Sequence, residues 1–486
     1  MDYQLIAAII FILFLIIFLY VKRKQIQIEK ILFPFLYMIL YRTKLGLKHM
    51  ESLAKKYPKI LKAAAIAGIF VGFAGMAFIA CLIVDNIIKM FLVPGTTAGV
   101  MLVLPFKLKG VFYVPFFYWI ITIFIIAGIH EFSHGVIARA YGIKIKSSGF
   151  AFLSILAPII PAAFVEPEDS SDEEIANYYA RKLKRNKKLA NDKNLNIKIK
   201  EAISAAIKNL KTEKTIKIKA ELPNKKTEEI IFTIRAGEVK KIKKQLEKKG
   251  QKALNDAPKK EQMGVFAAGP FSNVILAVLV LLLLKFAFYP IVMSMNEPNG
   301  MLITELQQNG TIHQTNLEAG DIITGINNAS TLNYANFTAQ LLSHKPGETV
   351  TLNTNKGDFD VKLETSPVNS SVPYLGIVPD QNTEIKEQYK NSSWLNEGLL
   401  WFAGNPYKLS IWTSFGLLGW IYLLSLGIGL FNLLPLGPVD GGRMLLALLE
   451  KYTKSERAHK IWKWISIAFL LIVLVLLIAT IYLAVR

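Results

Sequence analysis

The residues with the clearest capacity for chemistry are His130, Glu131 and His134, in the run Ile-Ala-Gly-Ile-His130-Glu131-Phe132-Ser133-His134-Gly135. Histidines four apart share one face of a helix, so both imidazoles can hold one Zn²⁺, and Glu131 projects beside them to take a proton from metal-held water. The metal draws that water's pKa towards about 7, so hydrolysis of a stable acyl bond is the chemistry this trio supports. In a soluble helix rich in Glu and His the same spacing arises by chance. Here it lies in an apolar span, where an ionisable residue costs on the order of 2–3 kcal/mol at mid-helix and marks function. The chain has six histidines, and two of them meet here. Glu131-x-x-His134 is also half of a carboxylate-bridged di-iron site. The other Glu-x-x-His, Glu456-Arg457-Ala458-His459, lies in a basic loop rather than on a facing apolar helix, which argues against that reading.

A catalytic zinc needs a third protein ligand. Downstream runs Asn432-Leu-Leu-Pro435-Leu-Gly-Pro438-Val439-Asp440-Gly441-Gly442-Arg443, with Asp440 as the acid that follows an apolar helix. Pro435 and Pro438 break that helix and free backbone carbonyls, while Gly441 and Gly442 allow close approach. On residues alone, Asp440 reads either as the third ligand or as the cap of the next helix.

These residues are positioned by a chain of 486 residues that is 52% hydrophobic and only 19% charged, a balance that excludes an ordinary soluble protein. Six runs are long and apolar enough to cross a bilayer as helices, near 3–21, 63–84, 112–134, 266–289, 409–434 and 463–485. The first lacks a basic n-region and a small-residue cleavage signature, so it reads as a retained span. Ile31 to Tyr41 is too short to cross and reads as an interfacial helix. The net charge of +21 reports topology, because Lys and Arg gather in cytoplasmic loops. Basic stretches at 22–61, 139–147 and 451–460 put both termini outside. Residues 166–262 carry 26 Lys/Arg against 16 Asp/Glu and fall in the cytoplasm. Residues 294–408 carry 6 against 12 and fall outside, as do the sequons at Asn309, Asn328, Asn336, Asn369 and Asn391. Gly149 to Val165, interrupted by Pro158 and Pro161, would reverse this agreement as a seventh crossing and reads as re-entrant. The single cysteine, Cys81, precludes an intramolecular disulfide and a cysteine zinc cluster.

With these residues in place, the chain resembles the site-2 protease family of intramembrane metallopeptidases, specifically archaeal members with an inserted PDZ domain. The likeness covers about 92–450. Its marks are His130-Glu131-Phe132-Ser133-His134, the Asn432 to Gly442 run resembling the family's Asn/Pro-rich segment with Val439 where Leu is usual, and Ala268-Gly269-Pro270-Phe271-Ser272-Asn273 resembling its GPxxN segment. The resemblance implies one zinc per chain on His130, His134 and Asp440, with Glu131 as acid/base and Asn273 and Asn432 contacting substrate backbone. On its own, a Gly-Pro-x-x-Asn run also suits a helix start or close helix packing.

Tyr141 to Asp169 resembles the family's re-entrant β-loop, and a strand beside the metal would hold a substrate helix unwound. A buried hydrophobic plug is the other reading of that segment. Residues 297–380 read as a β-rich unit with one clear helix, in which Leu317-Glu-Ala-Gly320-Asp321 to Asn328 resembles the signature of bacterial-type PDZ domains. Tyr178 to Gly250 reads as a small basic module: a helix such as Ile197 to Leu210, strands near Thr215–Leu222 and Glu228–Ala236, then a helix to Gly250. It is either a solvated positive-inside loop or a regulatory surface for anionic lipid or an acidic tail.

The expected architecture is an α-helical polytopic membrane protein with a re-entrant β-loop, an inserted β-rich PDZ domain and a small basic α/β cytoplasmic insert. Its segments are 1–91, 92–169 with the catalytic helix, 170–262 with the insert, 263–295, the PDZ domain at 296–390, and 391–486. The expected function is zinc-dependent cleavage of membrane-anchored substrates near the cytoplasmic side of the bilayer. A peptide C-terminus is the implied partner of the PDZ domain, and no nucleic acid is expected. A zinc-binding transporter or sensor would use the same ligands without needing Glu131, and a non-catalytic PDZ scaffold would bind no metal.

Overall fold

A lone apolar run can satisfy its backbone in a bilayer only as a helix, and such helices frame the first of two units. The structure, a computed structural model, describes residues 3–32, 36–93, 101–105, 107, 111–154, 158–168, 170–172, 174–179, 201–203, 205–207, 210, 212–221, 227–307, 311–367, 369–437 and 439–485. One unit is Met1–Ile275 with Ser425–Arg486, the other Leu276–Leu424. Among the described residues, the helices Pro58–Leu92, Phe116–Ala140, Lys259–Met295 and Ser455–Tyr482 are long and apolar enough to cross a membrane. Ile6–Val21 and Leu417–Asn432 are shorter apolar helices.

The first unit begins with α1 (Tyr3–Val21), α2 (Leu47–Lys56), α3 (Pro58–Leu92) and α4 (Phe116–Ala140). Between and after them run β1 (Ile26–Leu32), β2 (Leu36–Thr43), the short parallel pair β3 (Leu102–Leu104) and β4 (Val111–Tyr113), then β5 (Ile145–Ser154) and β6 (Pro158–Pro167). Strands β1, β2, β5 and β6 form one antiparallel sheet in that order. This corrects the interfacial helix expected at Ile31 to Tyr41: the segment lies in β1 and β2, apart from residues 33–35, which are outside the described residues. The reason is non-local. Strand β2 finds its partner a hundred residues away, with Ile39 opposite Phe152 and Tyr41 opposite Phe150, and that ladder outweighs the local preference of a short apolar run. Leu15 and Leu19 of α1 cover the sheet against Ile39 and Phe152.

The Gly149 to Val165 segment is a hairpin, whose residues 155–157 lie outside the described residues. Its second strand, β6, is an edge of the sheet. Pro158, Pro161 and Pro167 all fall on that edge strand, where a missing N–H breaks the fewest ladder bonds.

In the basic insert, β7 (Glu213–Glu221) and β8 (Thr227–Arg235) form a hairpin followed by α5 (Ala236–Lys248). The strands fall where alternation put them. The expected helix Ile197 to Leu210 is partly described, as helical residues within 201–207, the rest lying outside the described residues. Ile175, Ile203, Ile216, Ile234, Val239 and Ile242 form the module's own buried core. The chain leaving it is stitched to the base of the β5–β6 hairpin: Lys144 N–H donates to the Lys252 carbonyl (2.9 Å), Lys252 N–H to Gly142 (3.1 Å) and Leu254 N–H to Glu168 (2.7 Å). Arg139, five residues after His134, pairs with Glu51 of α2 and donates to the carbonyls of Ile143 (3.2 Å) and Gly250 (3.1 Å).

Helix α6 (Lys259–Leu283) begins in the first unit, continues past Ile275 into the second, and runs through a π-turn into α7 (Tyr289–Met295). The second unit holds β9 (Asn296–Leu306), β10 (Ile322–Ile326), β11 (Ala329–Ser330), α8 (Tyr334–Leu342), β12 (Thr349–Thr354), β13 (Gly357–Lys362), β14 (Glu364–Thr365), β15 (Pro373–Tyr374) and β16 (Ile377–Ile385). Its main sheet runs β13-β12-β10-β9-β16, with β11 on β10, around buried Met301, Ile303, Ile323, Val350 and Leu352. Asn327 and Asn328, both at positive φ (50° and 63°), make the two-residue turn between β10 and β11 that favours Asn or Gly. Asn328, Asn336, Asn369 and Asn391 are exposed on this unit; Asn309 lies outside the described residues. Helices α9 (Ser393–Ala403) and α10 (Ile411–Ser414) follow, and the Asn296 and Asn396 side chains exchange two hydrogen bonds (2.7 and 3.1 Å). The chain ends with α11 (Leu417–Asn432), α12 (Asp440–Tyr452) and α13 (Ser455–Val485).

Burial opposes the charge on Glu51, but Arg139 and Lys55 hold its carboxyl below the usual 4.5. The tie therefore contributes fully above pH 4.5 and is lost as pH falls through the lower folded value. Arg139→Met should cost about 1–3 kcal/mol at neutral pH. The difference from wild type, read by thermal unfolding, should shrink on acidification below that range.

Candidate metal centre

Two apolar helices and one broken helix end bring the candidate residues together. His130 and His134 share one face of α4, and Asp440 is the first residue of α12. His130 Nε2 lies 3.0 Å from Asp440 Oδ2, His134 Nε2 lies 3.3 Å from the same oxygen, and the two Nε2 atoms are 3.2 Å apart. All three side chains are at least seven-eighths buried, at 8%, 12% and 12% exposure. Four ligands at 2.0–2.1 Å from a tetrahedral zinc stand about 3.3 Å from one another, so this triangle fits the ion. The donor set, two imidazoles and a carboxylate with one position open, is that of a catalytic rather than a structural zinc.

The helix that starts at Asp440 does not use that side chain as a cap. Its N-cap is Val439, with no side-chain cap, and the Asp440 carboxylate turns to the imidazoles instead. The break before it is held by α13, where Ser466 Oγ donates to the Pro435 carbonyl (3.3 Å) and Trp462 Nε1 to Gly442 (2.9 Å). Pro438 lies outside the described residues. A Cβ at Gly441 or Gly442 would run into the carbonyls of Leu433 and Leu436, so the tight turn excludes side chains there.

Glu131 points beside the triangle towards β6, where its Oε2 accepts the Val165 N–H at 2.9 Å. Val165 therefore turns its N–H away from β5, onto the free edge of the sheet. On the other side stands α6. The His134 Nδ1–H donates to the Val265 carbonyl (2.6 Å), and the Asn273 side chain meets His130 Nδ1 at 3.2 Å. Asn273 is fully buried. Between them Gly269 faces both imidazoles, and a Cβ there would collide with both Nε2 atoms.

Asn432 ends α11, half-buried, and its side chain makes no hydrogen bond among the described residues. Glu456 and His459 are exposed on α13, where His459 faces Glu450 and Ser455. Among the described residues, His130, His134 and Asp440 form the one group able to hold a metal ion. Val165, Val265 and Gly269 join the site beyond the residues expected to act in it. The first two act through backbone atoms, which leave no mark in residue type. Gly269 was visible in the Gly-Pro-x-x-Asn run as a glycine one turn before Asn273.

The site thus sets three metal-type ligands and a further carboxylate among membrane-type helices. The profile of Peptidase family M50 matches residues 118–473, well over half the chain, and the protein belongs to this family, that of the site-2 proteases. The zinc metalloprotease RasP of Shouchella clausii (strain KSM-K16) is 24% identical over 264 residues, which are 46% of this chain and 58% of RasP. The match thus spans little more than half of that relative. Two solved PDZ domains of SdrC-like proteins are similar over 17% of the chain. The one from Listeria monocytogenes is 26% identical, with 87% of it covered and a TM-score of 0.15. The one from Listeria innocua is 27% identical, with 93% covered and a TM-score of 0.16.

Gly269→Ala would fill the space in front of both Nε2 atoms. The expected result is loss of bound zinc, measured by elemental analysis of purified protein, with helix content by circular dichroism unchanged.

Proposed function

We propose that the chain is a zinc-dependent endopeptidase that hydrolyses peptide bonds in or near the membrane-spanning segments of membrane-anchored proteins. The observation that carries this reading is the convergence of His130, His134 and Asp440 on one point, with Glu131 beside them bonded to an open strand edge. In this reading the two Nε2 atoms and the Asp440 carboxylate hold one zinc per chain. When bound, the ion supplies Lewis acidity and lowers the pKa of a water to about 7.

The protein's own groups do the rest. Glu131 takes the proton of the attacking water and returns one to the leaving amine. The Val165 N–H fixes one oxygen of that carboxylate and leaves the other free for the proton. A membrane-spanning substrate hides its peptide bonds in i→i−4 hydrogen bonds. Pairing with the free edge of β6 would hold a short stretch extended beside Glu131, as strand addition does at other open sheet edges. Asn432, whose side-chain amide makes no hydrogen bond among the described residues, is available to the substrate backbone.

The chain crosses the membrane six times in this reading, with α1 and α11 joining the four longer helices. The basic insert is cytoplasmic, the site lies towards that face, and residues 296–390 form an extracytoplasmic PDZ domain for a peptide C-terminus.

Glu131→Gln in purified protein, reconstituted with a single-span substrate, should lower cleavage at least about 10²-fold while keeping its zinc. Cleavage at the wild-type rate would sink the assignment, and retained function is what a transporter or sensor requires. Asp440→Ala should lose most of its zinc. An unchanged stoichiometry would mean a different third ligand.

A further inference from the structure

An imidazole can bind a metal through Nε2 only while its proton sits on Nδ1, so each zinc-binding histidine needs an acceptor for that proton. His134 has one in the Val265 carbonyl, which can only accept. His130 has the Asn273 side chain, which can either donate or accept. With Nδ2 turned to the ring, Nδ1 must accept, and the His130 proton moves to Nε2, between Asp440 and His134. That arrangement also leaves Asn273 Oδ1 buried without a partner. The two ends of a carboxamide are nearly isosteric and are assigned by their hydrogen-bond partners. With Oδ1 turned to the ring, the Nδ1–H has its acceptor and the Nε2 lone pair faces the carboxylate and the second imidazole. No hydrogen bond is lost on the far side, because the Oδ1 that leaves it has no partner there.

We propose that Asn273 is a positioning residue that accepts the His130 Nδ1–H through Oδ1 and so holds His130 in its metal-binding tautomer. This rests on the zinc site proposed above, and gives Asn273 a role behind the ligand in addition to the substrate contact implied by resemblance. The placement is built into α6. Val265, Gly269 and Asn273 are four residues apart and share one face. They face the two histidines of α4 turn for turn: a carbonyl for His134, a gap for both Nε2 atoms, an amide for His130. Helix α11 fixes the last of these, since Ser425 Oγ donates to the Asn273 carbonyl at 2.9 Å and Gly429 backs onto its Cβ with no side chain between.

The test compares zinc dissociation constants, by chelator competition in detergent, for wild type, Asn273→Leu and Asn273→Asp, with the visible spectrum of the Co²⁺-substituted proteins as a second reading. Leu offers no acceptor and should weaken zinc about 10–100-fold, the usual effect of losing such a partner. Asp restores the acceptor and should bind zinc within a few-fold of wild type, with the wild-type Co²⁺ spectrum. Wild-type zinc affinity in Asn273→Leu would overturn the positioning role. So would an Asp variant that binds zinc about 10-fold or more weakly than wild type, a comparison with wild type that stands even if Leu fails to fold. A wild-type protein that binds no zinc would instead defeat the proposed function itself.

Discussion

Two imidazole lone pairs and a carboxylate directed at one point within 3.0–3.3 Å of each other repel unless a cation or a shared proton stands between them. That constraint organises the first unit. In an apolar interior the repulsion cannot be relieved by water, and each charged group is expensive to bury without a partner. The surrounding elements are arranged to hold the three side chains in place. Helix α4 supplies the two histidines at one-turn spacing, the first residue of α12 supplies the carboxylate, and α6 supplies acceptors and clearance behind and between the rings.

The same helix pair leads to the chemistry. Glu131 follows His130 and so faces a neighbouring direction, where it meets β6 rather than α6. The sheet β1-β2-β5-β6 brings that edge to the site. Its base is tied to the strand-like stretch leaving the basic insert and, through Arg139, to α2. In the proposed function, metal ligation, proton transfer and substrate pairing thus meet on α4, each set by a different neighbouring element.

What could be read from the sequence was what local spacing encodes. The histidine pair is visible because i and i+4 share a helix face, and the β7–β8 hairpin because its apolar residues alternate. Asp440 was visible as an acid at a proline-broken helix end, but its choice between capping and ligation depended on where α4 lies, 310 residues earlier in the chain. The segment after α1 was misread because its strand partner, β5, is remote, and run length alone gives no information about partners. The contacts of Val165 and Val265 are made by backbone atoms, whose direction is fixed only by the fold. Asn273 was singled out by resemblance, yet its neighbour His130 is a contact between two helices that no single-helix pattern contains.

The most direct test is zinc K-edge X-ray absorption on the purified, zinc-loaded full chain. One zinc per chain with four ligands at about 2.0–2.1 Å, two of them imidazoles and the rest oxygen, is the expected spectrum. A first shell without two imidazoles, or a chain that retains no zinc, would contradict the convergence of His130, His134 and Asp440 on a metal.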